Sequence, residues 1–140
     1  MEEVIRELVR VGIVTAVYPE KGTVRVTISG VDDLHSYELQ VVVPKTHKDK
    51  EYWMPDIGEQ VVCLFSGQGL ERGWVLGAVY SQVDTVPEAN QDKWIKRFED
   101  GTIIEYDRKE HHLRIFVRGN ITIEAEGNIV IKGARIDLNP

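Results

Sequence analysis

The side chains best able to do chemistry in this chain are few and scattered. His111-His112 is the only adjacent histidine pair, and imidazole is the commonest metal ligand. Neighbouring residues of a strand point to opposite faces, so the two rings cannot share one ion within a chain. Three copies of one histidine could meet on a threefold axis; the plainer reading is a turn or a solvated strand start. Glu99, Asp100, Glu105 and Asp107 offer carboxylates of the kind that cleave glycosidic bonds in pairs. They flank Asp100-Gly101, however, a dipeptide that a hairpin turn explains by itself. His35 and His47 stand alone in loop-like stretches. Cys63 lies inside the apolar run Val61-Val62-Cys63-Leu64-Phe65 and reads as a small buried hydrophobe. As the single cysteine it closes no intrachain disulfide, and nothing here requires an oxidising compartment. A phosphate loop, a nucleophile elbow and a Cys/His cluster are all missing from the sequence. The expectation is a protein that is not an enzyme, with no catalytic residue, no metal and no cofactor.

Trp53, Trp74 and Trp94 could stack sugars or bases if they lay on one barrel face. The plainer reading is that each covers a barrel end or a subunit contact. The formal net charge of −6 argues against nucleic acid, whose phosphates reward clustered Lys and Arg. The acidic start Met1-Glu2-Glu3-Val4-Ile5-Arg6 does not read as a signal peptide. No apolar run approaches the ~18 residues of a membrane-spanning helix. Synthesis in the cytoplasm as a soluble chain is expected.

The elements that would position these residues are mostly strands. Residues 1–10 carry Val4, Ile5, Leu8 and Val9 at helical spacing, which predicts a short amphipathic helical segment. Residues 11–81 then supply five short strands: Ile13–Val17, Thr23–Ile28, Tyr37–Val43, Gln60–Phe65 and Gly73–Tyr80. Irregular turns such as Pro19-Glu20-Lys21-Gly22 separate them, and the pattern predicts a small barrel of the OB type, with an SH3-like barrel not excluded by strand count. Lys45–Glu51 reads as a solvated loop. Residues 82–93 lose the pattern and form a linker. Residues 94–140 begin with strands at Trp94–Phe98, Thr102–Tyr106 and His112–Val117.

The last part repeats. Gly119-Asn120-Ile121-Thr122-Ile123-Glu124-Ala125-Glu126 is followed by Gly127-Asn128-Ile129-Val130-Ile131-Lys132, and Gly133-Ala134-Arg135-Ile136-Asp137-Leu138 starts an imperfect third copy. The period is eight residues, with corners at Gly119, Asn120, Gly127, Asn128 and Gly133. A short fixed period with glycine corners is what a β-helix requires. Ile121, Ile123, Ile129, Ile131, Ile136 and Leu138 are expected to form one apolar stripe. Too little chain remains to cover it, and exposed it would be an aggregation hazard. Winding copies round a shared axis buries it, and three copies close a triangular prism; a dimer or a docked unrelated partner are the alternatives. The expectation is all-β: an OB-fold barrel, then a short β-helical or β-prism spike built by intertwined chains of a homotrimer.

Three segments carry a family resemblance: Tyr52-Trp53-Met54-Pro55-Asp56-Ile57-Gly58-Glu59-Gln60-Val61, Glu71-Arg72-Gly73-Trp74-Val75-Leu76-Gly77, and Phe98-Glu99-Asp100-Gly101-Thr102-Ile103-Ile104-Glu105-Tyr106-Asp107. With the terminal repeats they make the chain resemble the baseplate assembly protein V family, the central spikes of contractile-tailed phages. It is similar too to the spike of type VI secretion. The resemblance implies a virion protein of the tail baseplate, bound to other hub and tail-tube proteins, that contacts the target membrane transiently while piercing the envelope. Some family members insert a lysozyme domain, for which residues 82–93 leave no room. Some end in an iron-binding His-x-His pair, which Arg135-Ile136-Asp137-Leu138-Asn139-Pro140 lacks. A separate tip protein of the PAAR-repeat kind is therefore expected. The rival reading is an OB-fold module for oligosaccharide or nucleic acid, with a β-tail that only oligomerises it.

Overall fold

Alternation along Thr23-Val24-Arg25-Val26-Thr27-Ile28 puts three β-branched apolar side chains on one face, and Gln60–Phe65 repeats the pattern. Two such half-buried strands need a closed surface to face. The computed structural model describes residues 8–30, 34–67 and 69–140, and supplies that surface as a barrel. The chain divides into a first unit ending at Val86 and a second, Pro87–Pro140.

The first unit contains β1 (Val9–Tyr18), β2 (Thr23–Ile28), β3 (Leu39–Val41), β4 (Gln60–Phe65) and β5 (Gly73–Ala78). They close in the order β1-β2-β3-β5-β4, with β4 returning to β1. All neighbours are antiparallel except β3 and β5, which run parallel. This is a five-stranded, OB-like barrel. Val14, Val24, Val26, Leu39, Val61, Phe65 and Val75 fill its interior, each at most 2% exposed. Closing so few strands demands sharp bending. Register shifts at Thr15 on β1, between Val14 and Ala16, and at Leu76 on β5, opposite Val62 and Cys63, supply it. Gly73 permits the closest approach: a Cβ there would lie 2.5 Å from the Leu64 carbonyl oxygen and 2.8 Å from Phe65 Cδ1.

Two expectations change at the barrel's margins. The N-terminal helix was expected over residues 1–10; residues 1–7 lie outside the described ones, while Val9 and Arg10 belong to β1, opposite Leu64 and Cys63. Pairing with β4 overrides the helical spacing there. The third strand is three residues rather than Tyr37–Val43, because the chain before it bonds elsewhere. The Tyr37 N–H donates to the Leu70 carbonyl at 3.2 Å. Ser36 takes a strand residue's place. Fully buried, its hydroxyl accepts from the Val26 N–H at 3.0 Å and donates to the Tyr37 carbonyl at 2.7 Å.

The second unit contains β6 (Lys93–Arg97), β7 (Ile103–Asp107) and β8 (His112–Phe116), an antiparallel meander. Gly101, at φ 91°, turns the first hairpin, and Asp100 Oδ1 accepts the Thr102 N–H at 2.9 Å. Arg108 clasps Asp92 with its guanidinium and with its backbone N–H, both at 2.9 Å. Residues 117–140 contain no helix and no strand, and no residue of Pro87–Pro140 is buried. Among the described residues no helix is long and apolar enough to cross a membrane.

Removing the Ser36 hydroxyl should leave a buried donor unpaired, at a cost of about 1–3 kcal/mol. Ser36→Ala is expected to lower the urea midpoint of the barrel accordingly. Gly73→Ala should cost a similar ~1–3 kcal/mol through overpacking.

Candidate functional site

The carboxylates that might have done chemistry are occupied by turns. Asp107 Oδ1 accepts the N–H groups of Lys109 at 2.9 Å and Glu110 at 3.1 Å. The Glu110 bond is the largest influence holding its carboxyl below the usual aspartate range. Asp100 is lowered likewise, first by the Thr102 backbone N–H. A general acid needs a raised carboxyl, so both shifts run the wrong way for glycoside hydrolysis. Glu105 lies 3.8 Å from Lys93 and 3.7 Å from Arg114. Glu99 joins Phe98, Asp100 and Thr102 around a shallow, open hollow at the β6–β7 turn.

His111 sits in the turn before β8 at φ 56°, a left-handed conformation that histidine tolerates better than most residues. His112 starts β8 opposite Asp107, and both imidazoles are exposed. Among the described residues no group of three or more His, Cys, Asp or Glu is placed to hold a metal ion. The His35 ring shares a 3.0 Å hydrogen bond with the Thr27 hydroxyl at a barrel edge. Cys63 is fully buried in the barrel, and burial pushes its thiol up to about 11.

The tryptophans do not share one element. Trp53 is an exposed loop residue, Trp74 lies on β5 with the Arg72 guanidinium 5.8 Å from its ring, and Trp94 lies on β6 in the second unit. Trp94 stands opposite Tyr106, and Tyr106 opposite Leu113. The sequence reading treated Trp94 singly and passed over this row. Strand pairing reveals it, and period-two alternation on β6–β8 was the available signal.

The apolar repeat residues are all exposed. Ile121, Ile123, Ile129, Ile131, Ile136 and Leu138 are each between 52% and 84% exposed. Gly119 and Gly127 are not in left-handed backbone, and a Cβ built on either meets nothing within 4 Å. Neither conformation nor packing inside one chain therefore asks for glycine at these corners.

The first unit is thus an OB-like barrel, and the second a sheet and repeat in which no residue is buried. Residues 10–80 match the family of the type VI secretion system and phage-baseplate injector OB domain, and the chain belongs to that family. It is also similar to the Spike protein of Escherichia phage P2, at 28% identity over 125 residues. That similarity takes in 89% of this chain and 58% of the phage protein, so the chain spans little more than half the length of that relative.

The buried, elevated Cys63 thiol should be closed to thiol reagents at neutral pH in the native protein and react only on unfolding. A colorimetric thiol assay with and without denaturant checks this.

Proposed function

We propose that this protein is the central spike of a contractile phage or phage-like tail baseplate, which helps pierce the target cell envelope. It acts in the virion as a homotrimer whose repeats wind into a stiff β-prism. Its work is mechanical, since bending such a prism breaks many strand contacts at once.

One observation carries this reading: the second unit buries no side chain, although it presents an apolar stripe. Covering the six stripe side chains, at ~2 kcal/mol each, is worth on the order of 12 kcal/mol per chain as an upper bound. That is large beside the ~5–15 kcal/mol that stabilises a typical domain. Three copies round one axis cover the stripe and close the assembly, as cyclic symmetry requires. Corner glycines that one chain does not need are suited to close approach by another. Membership of the injector OB-domain family, and the similarity to a phage spike protein, support the baseplate setting.

Other hub and tail-tube proteins are the partners this reading implies, with the target membrane met only in passing. A PAAR-like tip protein would cover Leu138, at 84% the most exposed residue of the stripe.

Ile129→Asp tests the proposal by placing three carboxylates on the proposed axis. Buried like charges cost several kcal/mol each, so light scattering should find the wild type trimeric and the variant monomeric. A wild-type chain that is monomeric at all concentrations contradicts the spike and favours the OB-fold binding module.

A further inference from the structure

Between β5 and β6 the chain is held at two places. Ser81 makes the first: its hydroxyl accepts the N–H groups of Val83 at 3.2 Å and Asp84 at 3.0 Å. The Ser81 N–H in turn donates to the Asp84 carbonyl at 3.0 Å. Thr85, Val86 and Pro87 follow, all exposed, and take part in no such bond. The second place is built from Glu88 to Lys93. The Asn90 N–H donates to the Glu88 carbonyl at 3.0 Å, and the Asn90 carbonyl accepts the Lys93 N–H at 3.3 Å. Asn90 Oδ1 also accepts the Asp92 N–H at 2.9 Å, the local side-chain bond that suits asparagine to turns.

That turn is tied down in two ways. Arg108 holds Asp92 by main chain and by side chain, its N–H reaching the carbonyl and its guanidinium the carboxylate, each at 2.9 Å. Asp107 fixes the backbone around Arg108, because its Oδ1 accepts the Lys109 and Glu110 N–H groups. Two bonds between one pair of residues set direction as well as distance, which a lone exposed ion pair does not. The second tie is a line of charges. Lys93 lies 3.1 Å from Glu88 and 3.8 Å from Glu105, and Glu105 lies 3.7 Å from Arg114. The signs alternate from the turn across β6, β7 and β8. The middle side chains, Lys93 and Glu105, are only 20% and 16% exposed, so salt screens them less than ordinary surface charges.

We infer that residues 88–93 are a strap closed onto the sheet of the second unit and latched by Arg108. The tether between the two units then shrinks to residues 82–87. Pro87 suits its end, since it lacks an N–H and keeps Val86 extended. Under the spike reading, load drawn through the tether passes to the β7–β8 turn before it reaches β6. That consequence rests on the spike reading; the strap itself does not.

Glutamyl endopeptidase in phosphate buffer, which cuts after Glu and Asp, tests the strap on the full chain. Each rate, read by intact mass, is divided by that of the same bond in a peptide of residues 80–95. Cleavage after Asp84 should stay within about threefold of the peptide rate, and cleavage after Glu88 should be about tenfold or more slower, because protection measures how seldom a segment opens. Arg108→Ala should speed the Glu88 cut about fivefold, and Asp92→Ala likewise. The double variant should be no faster than either, since both remove one bond. Lys109→Ala, in the same turn, should change nothing. Cleavage after Glu105, inside β7, should stay slow throughout. A Glu88 bond as open as the Asp84 bond, an Arg108→Ala rate equal to wild type, or a Glu105 bond that opens in step overturns the inference. So does protection that grows with protein concentration, because the cover would then come from another copy. Protection kept in a chain that proves monomeric supports the strap and overturns only the trimer reading.

Discussion

No residue of the second unit is buried, and its exposed apolar side chains are the constraint on which the proposed assembly depends. A three-stranded meander has a single layer, so side chains on either face have no second layer to pack against. The residues after β8 add isoleucines without adding anything to cover them. Lys93, Glu105 and Arg114 pair with one another, but water is a poor neighbour for Trp94, Leu113 and the isoleucine stripe. In the proposed trimer, further copies of the same surface supply both cover and closure.

The barrel obeys the opposite logic. Closure of β4 onto β1 removes its edges and gives Val14, Val24, Val26, Val61 and Phe65 a shared interior within one chain. The bulges on β1 and β5, the Gly73 contact and the Ser36 hydroxyl are the devices that make so small a ring close without unpaired polar groups. Among the described residues no buried side-chain nitrogen or oxygen lacks a hydrogen-bond partner. In the proposed reading, a barrel with its own core is joined to a unit covered by other copies, so the second sets the oligomer without burdening the first.

Much of this was legible in the residues. Strands β2, β4 and the β6–β7 hairpin follow from alternation and from Asp100-Gly101, because each depends on local pattern. Three features were not. Val9 and Arg10 join β1 because β4 lies beside them, a tertiary fact that outweighs helical spacing. The short β3 reflects bonds from Ser36 and Tyr37 to distant partners, which no local pattern encodes. The apolar face of the sheet needed the ladder register, since Trp94, Tyr106 and Leu113 are neighbours only across strands. Conversely, the eight-residue repeat was plain in the sequence, while within one chain its residues pair with nothing in strand form.

Hydrogen–deuterium exchange of the backbone amides in residues 119–138 of the purified protein tests the central claim most directly. Within one chain these amides have no strand partner. If copies wind together, they should exchange about a thousandfold or more slower than in an unstructured peptide, reflecting cooperative opening of the assembly. Exchange at free-peptide rates would contradict the account, because the repeats would then be unpaired in every copy.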